Sequence, residues 1–210
     1  MRTMRTVMVL VVLLIMATSV AIATMVTFSS DTLSESNNIT GNNVCLVPVS
    51  AWAVPSPGVC WISFSNTGEG GWSPPNTVHG VPTAFFTENI FLPYSTNIGW
   101  AELFADDTAD IYLFNNLYPG GLMLWDAPTT PDAHCITGRP GCEPWEGLTL
   151  SLGSTQWAQG QNRLVLAAYQ YWGDGFGVMY RGEVESTPDP ATMVLVGFGL
   201  VGLGVFRRFK

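Results

Sequence analysis

Residues 100–116 have the sequence WAELFADDTADIYLFNN, two alternating runs on either side of a short acidic turn. In residues 100–105 and again in residues 109–114, apolar side chains recur at every second position, the period of a half-buried β-strand. Asp106, Asp107 and the closing Asn pair favour turns, because their side chains bond their own backbone. The pattern predicts a β-hairpin.

The same period of two recurs along the chain, and helical periodicity is almost absent. Glycine and proline interrupt the chain between the alternating runs. Short strands, frequent turns and abundant aromatic residues predict an all-β fold, an antiparallel two-sheet β-sandwich. The further predicted strands are residues 60–64, 84–92, 148–152, 164–172 and 176–185.

Three segments resemble parts of galactose-binding-like jelly rolls. Residues 104–116 are similar to the hairpin of that family, residues 159–164 to a strand entry and residues 177–182 to the closing strand. Asn116 stands where the family usually has glycine. The resemblance implies that residues 44–186 form one jelly-roll sandwich domain.

The C-terminal tail, residues 187–210, combines a short polar motif, an apolar run spaced by glycines and a basic end. If helical, the 14 uncharged residues 193–206 span roughly 21 Å, less than the roughly 30 Å of a bilayer core. Arg207, Arg208 and Lys210 would stay on the cytoplasmic side. Such a helix suits a transient membrane anchor that is later removed.

This tail resembles the PEP-CTERM sorting signal of exopolysaccharide-producing Gram-negative bacteria. Pro188, Asp189 and Pro190 match its Pro-Glu-Pro motif, with aspartate in place of glutamate. The resemblance implies recognition by an exosortase, a membrane-embedded enzyme that cleaves near this motif. The product would reside at the cell surface or in the extracellular matrix. An ordinary C-terminal membrane anchor is the alternative.

The N-terminus has the features of a secretory signal peptide. Arg2 and Arg5 precede an apolar run, residues 7–16, and Ala21 and Ala23 form a small-x-small cleavage pattern. We predict a signal helix in residues 1–23, cleaved after Ala23, and a polar linker in residues 24–43. The alternative is an uncleaved membrane helix, since residues 7–26 lack charge and are long enough to span a bilayer.

The predicted exported body is strongly acidic. Residues 24–187 contain three arginines, no lysine and 15 carboxylate side chains, a net charge of −12. Such a surface repels nucleic-acid phosphates and anionic lipids, so nucleic acid is not expected as a partner. It is compatible with neutral glycans and with divalent cations.

The four cysteines favour two disulfides, since the count is even and the chain is predicted to be exported. Proximity in sequence favours the pairs Cys45–Cys60 and Cys135–Cys142. A zinc site built on His134 and Cys135 is the alternative, but the CxxC pairs of structural zinc sites are missing.

Four of the eight tryptophans lie in predicted loops beside acidic or amide residues. An exposed indole offers a flat apolar face on which a sugar can stack, and neighbouring carboxylates can bind its hydroxyls. The alternative is that each ring caps the sandwich under its own loop. The other four, at positions 52, 61, 100 and 157, are predicted core or sheet-edge residues. The candidate glycan contacts are Trp72, Trp125, Trp145 and Trp172.

Catalytic and metal-binding motifs are missing from the sequence. There is no GxSxG, HExxH or P-loop, and the only histidines are His79 and His134. Asp106, Asp107 and Asp110 could ligate calcium, but a turn accounts for them and they lack EF-hand spacing. We therefore predict no catalytic residue, no metal and no cofactor.

Together these features predict a non-enzymatic exported protein of a Gram-negative bacterium. Its expected partners are an exosortase, the membrane through the C-terminal helix before processing, and extracellular polysaccharide bound by the sandwich. Two alternatives remain open: a structural or adhesive matrix protein without glycan binding, and a secreted glycoside hydrolase.

Overall fold

The computed structural model describes residues 23–31, 35–129, 138–173 and 175–189. The predicted signal helix, the apolar C-terminal helix, Ala21, Pro190 and the basic end lie outside these ranges. Within them, no helix is long and apolar enough to span a bilayer.

The described residues form two antiparallel sheets that pack face to face. The first sheet has the strand order β3-β4-β11-β6-β9, with β1 also paired to β11, and the second has the order β2-β5-β10-β7-β8. This confirms the predicted all-β, two-sheet antiparallel sandwich. The strands are β1 Thr24–Ser29, β2 Glu35–Asn37, β3 Val44–Cys45, β4 Ile62–Ser63, β5 Ala84–Leu92, β6 Thr96–Asp106, β7 Thr108–Phe114, β8 Leu122–Trp125, β9 Leu148–Leu152, β10 Gly160–Tyr169 and β11 Gly177–Thr187.

The predicted hairpin within residues 100–116 is wrong, although both of its strands are present. β6 pairs with β11 and β9 in the first sheet, whereas β7 pairs with β10 and β8 in the second. Leu103 of β6 and Ile111 of β7 are both fully buried in the core between the sheets. The apolar faces of both strands are buried when the strands face each other across the core. The residues Asp106–Thr108 therefore carry the chain from one sheet to the other.

The range predicted as a polar linker, residues 24–43, contributes strands to both sheets. β1 pairs with β11 from Thr24 opposite Ser186 to Ser29 opposite Arg181, and β2 pairs with β5. Phe28 anchors β1, because its ring is buried in the core 6.4 Å from the ring of Trp157. The alternation of residues 24–28 is therefore that of a strand, and the first described strand of the sandwich begins at Thr24.

The main core lies between the two sheets, and a smaller apolar cluster covers the outer face of the first sheet. In that smaller cluster the rings of Trp52 and Trp61 lie 4.3 Å apart, and Trp61 also contacts Phe104 at 6.4 Å. Trp52, Trp61 and Trp157 are buried, as predicted. Trp100 is only half-buried.

Cys45 and Cys60 form a disulfide, with their Cα atoms 5.7 Å apart. This confirms the first predicted pair. Cys142 is also disulfide-bonded. Cys135, its predicted partner, and His134 lie outside the described residues.

Candidate functional site

The strand register brings the four candidate tryptophans to one end of the sandwich, where β6 and β7 meet at Asp106–Thr108. We call this the acidic end. The connections from β4 to β5, from β8 to β9 and from β10 to β11 all begin or end there. The register pairs that place the strand ends are Ala84 and Ala109 with Ala168, Trp125 with Ile111, Leu148 with Leu103 and Gly177 with Asp106. These connections, with the last residue of β8, contain Trp72, Trp125, Trp145 and Trp172.

All four indoles are exposed to solvent. Trp72, Trp145 and Trp172 are 56%, 67% and 59% exposed, and Trp125 is 37% exposed. A ring that capped the sandwich under its own loop would be largely covered, as Trp125 is, whereas more than half of Trp72, Trp145 and Trp172 is exposed. The exposed faces therefore remain available to a ligand.

Trp125 and Trp145 are joined through Arg139. The indole N–H of Trp125 donates to the carbonyl oxygen of Arg139 at 2.5 Å. The Arg139 guanidinium in turn donates to the carbonyl oxygen of Trp145 at 3.2 Å. The segments that carry the two tryptophans are therefore held together by one residue, and we call the surface around them the tryptophan patch.

The loops that carry Trp72 and Trp172 are joined in a similar way. The hydroxyl of Ser73 donates to the carbonyl oxygen of Gly173 at 2.9 Å. The buried amide of Gln170 donates to the carbonyl oxygen of Trp172 at 3.3 Å. Hydrogen bonds between neighbours of the two tryptophans thus hold their loops together.

Asp107 anchors the Trp172 loop to the body of the sandwich. Its Oδ2 atom accepts the backbone N–H of Trp172 at 2.6 Å and also that of Tyr171. Asp106, its neighbour, accepts the indole N–H of the buried Trp52 at 2.5 Å. Both carboxyl groups therefore accept hydrogen bonds from loop residues next to the turn.

Asp110 is the centre of a second group at the acidic end. It is 4% exposed, and its Oδ2 atom accepts the hydroxyl of Tyr169 at 2.6 Å and that of Tyr112 at 3.3 Å. Its Oδ1 atom accepts the backbone N–H of Ala127 at 2.7 Å. Asp106, Asp107 and Asp110, the candidate calcium ligands, thus bind different partners.

His79 and Asp126 complete the group around Asp110. The His79 Nε2 atom lies 3.7 Å from Asp110 Oδ1 and 3.5 Å from Asp126 Oδ1. The imidazole stacks on the ring of Tyr169 at 5.5 Å, and Tyr169 stacks on Tyr171 at 5.4 Å. Carboxylates and stacked aromatic rings therefore adjoin the tryptophan patch, since Asp126 directly follows Trp125.

The phenols of this group remain protonated at neutral pH. Burial, followed by the charges of Asp110 and Asp107, raises the pKa of Tyr171 to about 12. Burial and the hydrogen bond to Asp110 raise the pKa of Tyr169 further. The Tyr169 hydroxyl donates to Asp110, whereas the buried Tyr171 hydroxyl lacks a hydrogen-bond partner among the described residues.

Part of this group was not identified from the sequence as a binding site. The sequence offers His79 only as a candidate for catalysis, and Tyr169 and Tyr171 only as parts of a predicted strand. His79 precedes Asp110 by 31 residues, so only the fold brings them together. The alternation in β10, which directs Tyr169 away from the core side of the sheet, is the one available signal.

A shallow depression on the outer face of the first sheet offers a competing site. It encloses about 560 Å³ and is lined by Trp100, Glu183 and Glu185. Trp100 is partly covered, since the Arg181 guanidinium lies 5.8 Å from its ring centre. The depression has one indole, whereas the acidic end has four.

Comparisons with known proteins support no family assignment. No family model matches the chain, and no curated protein matches it. Among solved structures, a family 35 carbohydrate binding module from Clostridium thermocellum is 14% identical, with a TM-score of 0.38, over 77% of this chain and 98% of that one. The enzymatically active domain of tailspike protein 4 of bacteriophage CBA120 is 11% identical, with a TM-score of 0.30, over 79% of this chain and 19% of that one. Likenesses this distant say nothing of what this chain binds.

Proposed function

We propose that this chain is an exported, non-enzymatic protein of the cell surface or extracellular matrix that binds a neutral glycan at the acidic end. The observation that carries the proposal is the position of four exposed indoles at one end of the sandwich, beside buried and exposed carboxylates.

The loops that carry Trp125, Trp145 and Trp172 are held in place before any ligand binds. Asp107 fixes the backbone of Trp172, and Arg139 bridges Trp125 to Trp145. Loops ordered in advance lose less conformational entropy on binding. Stacking on such rings favours the apolar face of a pyranose.

The charge of the body selects among glycans. With a net charge of −12 over residues 24–187, the surface repels uronic acids and sulfated sugars. Carboxylate oxygens, such as those of the largely exposed Asp126, accept hydrogen bonds from sugar hydroxyls. Both effects favour neutral chains.

The direction of β11 places the acidic end and the start of the C-terminal tail at opposite ends of one strand. Gly177 at its start pairs with Asp106, whereas Thr187 at its end pairs with Thr96. At about 3.3 Å per residue, the strand separates its two ends by roughly 33 Å. A tail anchored in a membrane after Thr187 would therefore direct the acidic end away from that membrane, toward extracellular polymer.

The proposed sorting step requires access to the motif at residues 188–190. β11 ends at Thr187, and Asp189 is exposed. The motif therefore begins where the last described strand ends, and an exosortase could reach it without unfolding the sandwich. In the intact mass of exported material, loss of the residues after Pro190 would support this step, and their retention would contradict it.

Affinity electrophoresis through gels containing neutral polysaccharides tests glycan binding. Wild-type chain should be retarded in at least one gel, and Trp72→Ala, Trp125→Ala, Trp145→Ala and Trp172→Ala should each reduce the retardation. Phe91→Ala is the matched control, because Phe91 is 63% exposed near the opposite end of the sandwich. Retardation that none of the four variants reduces would overturn the proposal, as would a lack of retardation in every gel.

The same gels separate the alternatives. A structural or adhesive matrix protein would self-associate without entering any polysaccharide-dependent complex. A glycoside hydrolase would release reducing sugar from the polysaccharide that retards it, so release of reducing ends would contradict the non-enzymatic part of the proposal.

A further inference from the structure

Three metal-ligating side chains converge at the acidic end: His79, Asp110 and Asp126. Their candidate ligand atoms all lie within 4.8 Å of one another. They come from the connection before β5, from β7 and from the residue after β8. The fold therefore assembles the group from distant parts of the chain.

The separations in this group suit a shared metal ion better than direct hydrogen bonds. His79 Nε2 lies 3.7 Å and 3.5 Å from the nearest oxygens of Asp110 and Asp126, beyond hydrogen-bond range. In a tetrahedral zinc site with ligand bonds near 2.1 Å, neighbouring ligand atoms are about 3.4 Å apart. Small movements of the exposed Asp126 side chain would complete that geometry.

Two of the ligands are already oriented by other groups. Asp110 is buried, with the Tyr169 hydroxyl on one oxygen and the Ala127 N–H on the other. Each oxygen has a second lone pair, so these bonds leave Oδ1 able to bind a metal. The His79 ring is fixed by its stacking on Tyr169. Such outer partners are what metal sites use to hold their ligands.

The imidazole indicates the class of metal. Calcium and magnesium take oxygen ligands, whereas imidazole suits zinc and its neighbours among the divalent transition metals. Three protein ligands leave a fourth tetrahedral position for water or an incoming group. Asp126 is 70% exposed at its side chain, so that position would face solvent.

We infer that His79, Asp110 and Asp126 form a zinc-class divalent metal site with one open coordination position at the acidic end. The sequence predicts no metal, because its local motifs do not bring these three residues together. This inference requires the metal alone and does not depend on glycan binding.

Calorimetric titration with Zn²⁺ tests the site, using the full chain purified in detergent without a polyhistidine tag and stripped with a chelator. One zinc per chain should bind, and Co²⁺ at the same site should show the intense visible absorption of tetrahedral coordination. His79→Phe keeps the ring stacking and removes the ligand, and Asp126→Asn changes an exposed side chain. Each should weaken zinc binding by roughly tenfold or more.

Two controls distinguish this site from adventitious binding. Glu185→Gln changes an exposed carboxylate of the first sheet, and His134→Phe removes the only other histidine. Neither should change the affinity for zinc. The inference is overturned if the wild-type chain binds no zinc, if His79→Phe and Asp126→Asn bind it unchanged, if the controls lose it equally, or if only Ca²⁺ binds.

Discussion

The carboxylate of Asp107 accepts the backbone N–H of Trp172 at 2.6 Å, so a fully buried acid holds an indole that is largely exposed. The same oxygen accepts the backbone N–H of Tyr171. The crossover between the sheets and the β10–β11 connection are thereby fixed to each other. These two hydrogen bonds therefore stabilise the arrangement of the loops at the acidic end.

Asp107→Ala should destabilise the protein and loosen Trp172. It leaves two backbone N–H groups without their side-chain acceptor, which costs about 1–3 kcal/mol. Urea unfolding followed by tryptophan fluorescence measures the loss. Glu69→Ala, at an exposed acid, should stay within about 0.5 kcal/mol of wild type. Equal effects of the two variants would show that Asp107 does not anchor the loop.

Stability should fall as the pH rises from about 4.5 to about 7. Glu35 and Glu88 lie directly opposite each other in β2 and β5, and both are buried. Burial above all, aided by the charges of Asp31 and Glu88, raises the pKa of Glu35 from 4.5 to about 7. In this window the folded state keeps a proton that the unfolded state has released, so folding is favoured at the lower pH, by an amount on the order of 2 kcal/mol.

Glu35→Gln isolates this effect, because it keeps the shape of the side chain and cannot titrate. Urea midpoints measured at several pH values should lose much of their decline between 4.5 and 7 in this variant. Glu69→Gln, at an exposed position, should keep it. A wild-type midpoint that rises across the window would contradict the assignment of the buried proton to Glu35.

Removing the Cys45–Cys60 disulfide should destabilise the sandwich by about 3 kcal/mol, the value expected for a closed loop of about 15 residues. The double variant Cys45→Ser/Cys60→Ser, compared with wild type by thermal unfolding, provides the measurement. An unchanged midpoint would show that the bridge does not restrict the unfolded chain.

Gly182→Ala should displace β1. A Cβ atom at this position would overlap the ring of Phe28, which anchors β1 to the core, and would also crowd the backbone carbonyl oxygen of Trp100 in β6. We expect a loss of about 1–3 kcal/mol and faster amide exchange in residues 24–29. Gly120→Ala is the matched control, since a Cβ there meets open space. Unchanged exchange in residues 24–29 would show that β1 does not depend on this contact.

Alternation in the sequence was sufficient to predict the β-class and most of the long strands. It could not assign strands to sheets, because an inward apolar face looks the same whether the partner lies beside it or across the core. β6 and β7 were therefore wrongly paired with each other. β1 was missed because residues 24–43 are rich in serine and asparagine overall, and its core contacts come from only two apolar side chains of the strand, Phe28 and the partly buried Val26.

For the candidate site too, the sequence predicted the local features and missed the long-range contacts. Loop composition identified the four tryptophans, because the turn residues around each of them are local signals. Their meeting at one end depends on strand register, and the approach of His79 to Asp110 depends on a connection that only the folded chain brings close. Local patterns carry no information about such long-range contacts.

The indole N–H resonances of the full chain, recorded by two-dimensional NMR during titration with the retarding polysaccharide or its oligosaccharides, test glycan binding at the acidic end most directly. The signals of Trp72, Trp125, Trp145 and Trp172 should shift together, while those of the buried Trp52, Trp61 and Trp157 stay in place. Shifts confined to Trp100, or none at saturating ligand, would contradict it.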